Sequence, residues 1–508
     1  MSKIATMRIT SFIILLVIAL SSFSQDINQL TEDYIDEYGV QILQDFSTLL
    51  SLPNVAYDLP NINRNADYIQ SELEKRGVET KLLRMIGTPP IVYGYYPAKK
   101  AKRTIAFYVH YDGQPVDETK WTNDPWKPTY YDKAISSGGK PIDFPTSIDE
   151  IDEEHRIYAR SAGDDKAPII TILNALDLIQ SNKLKVTSNL VFFFEGQEEA
   201  GSKQLQQYLN DHRELVDEID LWLFCDGPVH QSRRPQLVFG VRGVTGMEIT
   251  VFGPNRPLHS GHYGNWAPVP GQLLSELIAS MKDDEGNVVI EGFYDDVEPL
   301  SDLEQKALAQ IPLIDEDLKT ELGINDPEGT ESYNERLLRP SLTIKGLSSG
   351  NTGKLARNVV PATATAAIGL RLVKGCDPEK QKDLVETHIQ KQGFHIVREV
   401  PDQETRMKYP KIAMVTKSGG YPAARTSMDL PIVQDVITRT KGFVGEDLIL
   451  LPTLGGSLPL YLFTDELKKP AIIVPIANHD NNQHAADENL RIGNLWYGIR
   501  LMSALMTL

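Results

Sequence analysis

The sequence predicts an α/β fold, a parallel-type sheet covered by helices and interrupted by an inserted α+β segment. Three observations lead there. Short, almost wholly apolar runs alternate with helical patterns in the first part of the chain, as expected of strands buried on both faces. The same texture returns near the end. Between the two, within 242–407, the runs 243–253 and 362–373 alternate apolar and polar residues with period two, as in antiparallel strands with one exposed face.

Taken in order, 104–109 (TIAFYV), 189–194 (NLVFFF) and 221–225 (LWLFC) read as buried strands. A helix over 167–180 carries Pro168 in its first turn, where a missing N–H costs least. In the middle segment, 243–253 (GVTGMEITVFG) and 362–373 (ATATAAIGLRLV) read as half-buried strands, with helical patterns at 269–280 and 378–392. Helix returns at 431–440, a strand at 471–475 (AIIVP), and a helix closes the chain at 494–508. The expected division is 25–241, an insert at 242–407, and 408–508.

Residues 1–24 read as a secretory leader. Lys3 and Arg8 form a positive start, 12–20 are uninterruptedly apolar, and Ser22-Phe23-Ser24 is a small-x-small cleavage site. Nine apolar residues fall short of the about 20 that span a bilayer. The expectation is export by a bacterial-type Sec signal to the periplasm or beyond.

Composition narrows the function. Over 508 residues, 51 Lys+Arg against 69 Asp+Glu give −18, which excludes a protein built to track nucleic-acid phosphates. Two cysteines, Cys225 and Cys376, cannot build a disulfide framework.

With only 10 histidines, their positions carry information. His110 directly follows a predicted strand, in His110-Tyr111-Asp112. Asp164 stands in Gly163-Asp164-Asp165-Lys166, between a short run and a helix. Glu198 and Glu199 lie just past the 189–194 strand, Asp226 ends the 221–225 strand, and His484 follows the 471–475 strand by a short polar loop. Imidazole and carboxylate are the donors that zinc accepts. In an open parallel sheet, the carboxyl ends of the strands share the edge where ligands bind. Singly, each residue is an ordinary hydrogen-bonder, turn or surface residue; five at strand ends point to a site.

These motifs, together with Glu195-Gly-Gln-Glu198-Glu199-x-Gly-Ser202, Leu258-His259-Ser260-Gly261, Arg357-Asn358-Val-Val-Pro361, Gly455-Gly-Ser457-Leu-Pro459 and His484-x-x-Asp487-Glu488, resemble the M20 metallopeptidases. That family includes carboxypeptidase G2-like, carnosinase-like and aminoacylase-like enzymes. The resemblance implies two divalent metal ions, most simply Zn2+ with Mn2+ or Co2+ as alternatives. His110 and Asp226 would hold one ion, Glu199 and His484 the other, with Asp164 bridging them. Asp112 would orient His110. Glu198 would be the general base that takes a proton from a metal-bridged water and returns it to the leaving amine. The Asp164–Asp165 peptide is expected to be cis.

The insert would be a lid and dimerisation domain, making the protein a homodimer. Within it His259 would stabilise the oxyanion, and Arg371 and Asn358 would grip a substrate carboxylate, for which a planar guanidinium is well suited. Gly456 and Ser457, expected from the catalytic part, would contact the same end. Asp487 departs from the family's usual Asn.

The reading is an exported di-zinc peptidase acting on dipeptides or short peptides beside a free C-terminal carboxylate. An N-acyl-amino-acid deacylase is the alternative, and a non-catalytic metal-bearing binding protein a third. Asp226, where deacylase-like members often carry Glu, favours peptides. A serine elbow at Gly346-Leu347-Ser348-Ser349-Gly350 is disfavoured, because Asn351-Thr352-Gly353 cannot start the helix that such an elbow needs.

Overall fold

The computed structural model describes residues 27–508, so the leader read at 1–24 lies outside the described residues. The described chain forms two compact units. One comprises the residues up to Phe239 with Thr426–Leu451 and Leu462–Leu508; the other comprises Gly240–Arg425 and Pro452–Tyr461.

The first unit is built on an eight-stranded sheet. Its centre is parallel: Asn189–Glu195, Thr104–His110, Leu221–Phe224 and Ala471–Ile473 lie side by side in that order. These are the apolar runs of the sequence, and every residue of Thr104–His110 is buried. The edges depart from a parallel sheet. Glu79–Leu83 pairs antiparallel with Ile91–Tyr96, which pairs antiparallel with Asn189–Glu195. Gln236–Val238 also meets Ala471–Ile473 antiparallel, so the sheet is mixed.

Helices Lys166–Ser181 and Ile492–Met506 pack on each other. Gly498 allows that approach, because a Cβ there would lie 2.6 Å from Thr171 Cγ2. Lys166–Ser181 begins one residue before the expected start, with Pro168 inside its first turn. Thirteen of its sixteen residues are buried, as its apolar sequence requires. No helix among the described residues is long and apolar enough to cross a membrane.

The second unit carries a five-stranded sheet in the order Ser341–Ser348, Thr363–Leu372, Gly243–Phe252, Ile412–Lys417, His395–Val397. All pairs are antiparallel except the last. Alternation is carried through faithfully: Ala364, Ala366, Ile368, Leu370 and Leu372 face a core closed by helices Pro270–Ala279 and Pro378–Lys391. The unit runs past residue 407 because Ile412–Lys417 pairs with Gly243–Phe252. It also takes in Pro452–Tyr461, so Gly456 and Ser457 belong to it rather than to the catalytic part. Main-chain bonds explain why: Leu454 N–H donates to Gly240 O, and Arg242 N–H to Gly456 O.

Candidate metal centre

In the first unit, the parallel strands lead into His110, Glu198, Glu199, Asp226 and, by a loop, His484. Asp164 instead follows Arg156–Tyr158 of a separate antiparallel sheet, against the expectation that every candidate ends a strand of the parallel sheet. His110 is the last residue of its strand and is fully buried. Its Nε2 lies 2.8 Å from Asp164 Oδ1, and its Nδ1 lies 3.1 Å from Asp112 O and 3.5 Å from Asp112 Oδ1. Burial alone would lower the imidazole pKa, yet Asp112 and Asp164 hold it well above the usual value.

Asp164 stands between two histidines, with Oδ2 at 3.1 Å from His484 Nε2. His484 Nε2 is also 3.3 Å from Glu199 Oε2, which accepts a hydrogen bond from Gln114 Nε2 at 2.7 Å. The Asp164–Asp165 peptide is cis, as the resemblance implies. Buried Asp226 follows Leu221–Phe224 closely. Burial first, and Asp164 second, push its pKa up to about 6. Glu199 is raised to about 7 by the same two causes. Glu198 is raised well above the ordinary carboxylate value by burial, with Asp226, Glu199 and Asp112 adding to it against His110.

The turn carrying the two glutamates is built tightly. A Cβ at Gly196 would fall 2.5 Å from the Tyr111 hydroxyl, so only glycine lets the chain leave its strand there. Asp112 then takes the Glu198 and Glu199 amide protons on its two oxygens, at 3.0 Å each.

Two groups of donor atoms, each within 4.8 Å of one another, are suited to a metal ion: His110, Asp165 and Asp226; and Asp164, Glu199 and His484. The donor set is imidazole and carboxylate throughout, which suits zinc and other borderline or hard divalent ions. Asp165 Oδ1 is buried without a hydrogen-bond partner among the described residues, and buried Asp164 Oδ2 meets only the His484 ring nitrogen, at 3.1 Å. Buried carboxylate oxygens left so are costly unless a cation meets them, so these residues fit a metal.

Sequence reasoning singled out neither Asp165 nor Glu488 for a role. Asp165 accepts from the His110 amide at 3.3 Å and joins the His110–Asp226 group. Buried Glu488 accepts the amides of Ser161, Gly163 and Asp164 and the Arg160 guanidinium, at 2.7–3.0 Å, and so shapes the loop carrying Asp164. Its signal was present, as an acid next to Asp487 in the His484 motif. Asp487 accepts Thr122 N–H and Oγ1–H at 2.8 and 2.7 Å, which ties the His484 loop to the segment after His110.

The remaining selected residues lie in the second unit. Arg371 Nη1 donates to Ser457 Oγ at 2.5 Å, so these two are brought together. Arg371 has no carboxylate partner among the described residues. Gly456 anchors the same loop through its carbonyl. Asn358 O accepts Ser260 N–H at 3.0 Å, where Leu258–His259 pairs with Val359–Val360. His259 is exposed, and its Nδ1 accepts Gly261 N–H at 3.1 Å. Ser348 ends its strand and leads into no helix, against a serine elbow.

Comparison with known proteins agrees with this chemistry. The chain is 27% identical over 495 residues to a Cys-Gly metallodipeptidase of Schizosaccharomyces pombe, covering 92% of this chain and 95% of that one. It is 25% identical over 428 residues to the Beta-Ala-His dipeptidase of Mus musculus, covering 82% and 79%. An M20 family metallo-carboxypeptidase from Sulfolobus solfataricus superposes with a TM-score of 0.71 at 28% identity, covering 92% and 98%. The fold is also that of the Saccharomyces cerevisiae dipeptidase Dug1p, with a TM-score of 0.70 at 22% identity over 95% and 98%.

The expectation of export is corrected here. The chain matches Cys-Gly metallodipeptidases over 92% of its length, relatives that give export no support, and the leader on which export rested is outside the described residues. An apolar, positively flanked start is a pattern with several causes and did not suffice. Residues 106–508 match the profile of Peptidase family M20/M25/M40, a span that takes in both donor groups. That match covers well over half of the chain, which belongs to the M20 family and is a metallopeptidase.

Proposed function

We propose that the protein hydrolyses dipeptides or short peptides beside a free C-terminal carboxylate. The observation that carries this reading is the unequal fate of two adjacent acids: Glu199 lies in a donor group, while Glu198, locked beside it by Asp112, lies in neither. A hydrolytic metal site needs one carboxylate that ligates and one that is free to move a proton.

His110 and Asp226, and Glu199 and His484, with Asp164 shared, are the residues that would hold two divalent ions. Zn2+ is preferred by the donor set, with Mn2+ and Co2+ as alternatives. Such ions supply polarisation of the scissile carbonyl and a lowered pKa for water.

The chain's own residues do the rest. The Glu198 carboxylate accepts a proton from the attacking water and passes it to the leaving amine nitrogen. Its raised pKa suits a base that must release that proton again. Asp112 orients His110 and holds the Glu198–Glu199 main chain. His259 donates to the oxygen that gains charge in the tetrahedral state. Arg371, with Ser457, Gly456 and Asn358, takes the substrate's C-terminal carboxylate through paired, charge-assisted bonds.

The Gly240–Arg425 segment serves as lid and dimerisation domain. Support for a homodimer is the exposure of large apolar side chains in this unit, Trp266 at 80% and Leu347, Leu355 and Val359 also exposed. The test is amino-acid release from dipeptides, tripeptides and N-acetyl amino acids by metal-loaded wild type and Glu198→Ala. Dipeptide cleavage lost in the variant supports the reading. Cleavage of the acetylated compounds alone replaces it with a deacylase.

A further inference from the structure

Beside Arg371, the second unit holds a cavity of about 460 Å³. Ser341, on its wall, pairs with Arg371 across adjacent antiparallel strands, so both side chains stand on the same sheet face. Leu337 and Tyr333, also on the wall, lie under Gly455 of the loop that brings Ser457 to Arg371. The cavity wall therefore borders the proposed carboxylate clamp.

Its chemistry is unbalanced. Leu318, Leu322 and Ile324 give it apolar walls, but five cationic side chains face three acids around it. The acids are largely occupied: Glu331 by Arg336 and Arg339, Glu328 by Lys282, and Asp315 in part by the Tyr333 amide. Arg242 has no such partner. It is 7% exposed, and its Nη2 donates only to neutral oxygens, Arg339 O at 2.8 Å and Ser341 Oγ at 3.0 Å. Its Nε is buried with no hydrogen-bond partner among the described residues. Burial, then the neighbouring Arg371, pull its pKa down to about 10. A buried guanidinium that makes no ion pair with any acid of the described residues and donates only to neutral oxygens is costly until an anion arrives.

We infer that this cavity receives the side chain of the substrate residue whose α-carboxylate Arg371 holds, and that Arg242 makes it prefer an acidic side chain. The inference rests on the carboxylate role proposed for Arg371. It is a selectivity that the names of the relatives do not imply, since those name glycine and histidine at that position.

The experiment compares Ala-Glu, Ala-Gln, Ala-Leu and Ala-Gly as substrates of the metal-loaded protein. A charge-assisted bond in a desolvated pocket should favour Ala-Glu over isosteric Ala-Gln by about ten- to a hundredfold in kcat/KM, chiefly through KM. Arg242→Met should collapse that ratio towards one. Leu318→Trp, which fills the cavity from the side of an exposed helix, should raise the Ala-Gly to Ala-Glu ratio about tenfold or more. Calorimetric binding of free glutamate against free glutamine reads the same preference without turnover. Equal rates for Ala-Glu and Ala-Gln, or a ratio that survives Arg242→Met, overturn the inference and leave the dipeptidase reading standing. Failure to cleave any of the four overturns that reading and the inference with it.

Discussion

Asp112 and Glu198 are joined through the main chain: the Asp112 carboxylate accepts the Glu198 amide on one oxygen and the Glu199 amide on the other, each at 3.0 Å. The same carboxylate lies 3.5 Å from His110 Nδ1. One buried acid thus fixes a histidine and both glutamates. Asp112→Asn keeps the shape but turns one acceptor into a donor facing an N–H. Metal affinity and kcat should each fall by about ten- to a hundredfold, as for other groups that support metal ligands. Metal titration of the variant beside its steady-state kinetics checks this; unchanged metal affinity would count against the role of Asp112.

Adjacent acids should respond differently to the same change. Glu198→Gln should retain metal and lose about 10²–10⁴ in kcat, the usual share of a general base. Glu199→Gln should lose metal from one of the two sites. Metal stoichiometry measured on both variants separates the roles, and loss of metal in both would assign Glu198 as a ligand.

Glu488 supports the Asp164 loop by accepting three amides and the Arg160 guanidinium. Replacing it with Gln sets an NH2 group among donors and leaves Arg160 buried without its charge partner. Breaking a buried pair of this kind costs about 3–5 kcal/mol. Urea denaturation of the metal-free variant should show a lower midpoint at an unchanged slope.

Much of this was legible in the sequence, and the reasons for the rest are physical. His110 and Asp226 end runs such as TIAFYV and LWLFC, whose apolar continuity marks a strand buried on both faces. Glu79–Leu83 (ETKLL) is an edge strand, half solvated and without such a run, so nothing local marks it. Ile412–Lys417 joins the inserted sheet through pairing with Gly243–Phe252, a contact across more than 150 residues that no local pattern encodes. Asp165 and Glu488 each sit next to an acid already singled out. Their roles depend on where each carboxylate points, which spacing leaves open.

Acid stability should depend on Asp480. Although burial opposes it, the two-pronged bond from Arg156, at 3.0 and 2.8 Å, with help from Asn478, holds this carboxylate down to about 2. A folded pKa below the unfolded value of about 3.9 means the contribution is complete above that value and lost as pH falls towards 2. Wild type should therefore exceed Asp480→Asn in denaturation midpoint at pH 5, with the gap closing by pH 2. A gap that stays constant between those values would remove the pair from the account of acid unfolding.

The last prediction concerns Arg371. It donates to Ser457 Oγ at 2.5 Å and has no acidic partner among the described residues, so its charge is available to a substrate. If that charge takes the C-terminal carboxylate, Arg371→Ala should cut kcat/KM on free dipeptides by about ten- to a thousandfold, the range for losing a two-pronged ionic contact. C-terminally amidated dipeptides, which lack the anion, should be poor substrates of wild type and lose little further in the variant. Arg371→Lys should recover only part of the difference, because an ammonium is a point charge without the planar fork. Wild type and Arg371→Ala assayed on matched acid and amide pairs measure the interaction directly. An equal fractional loss on both members would show that Arg371 shapes its unit rather than reading the carboxylate.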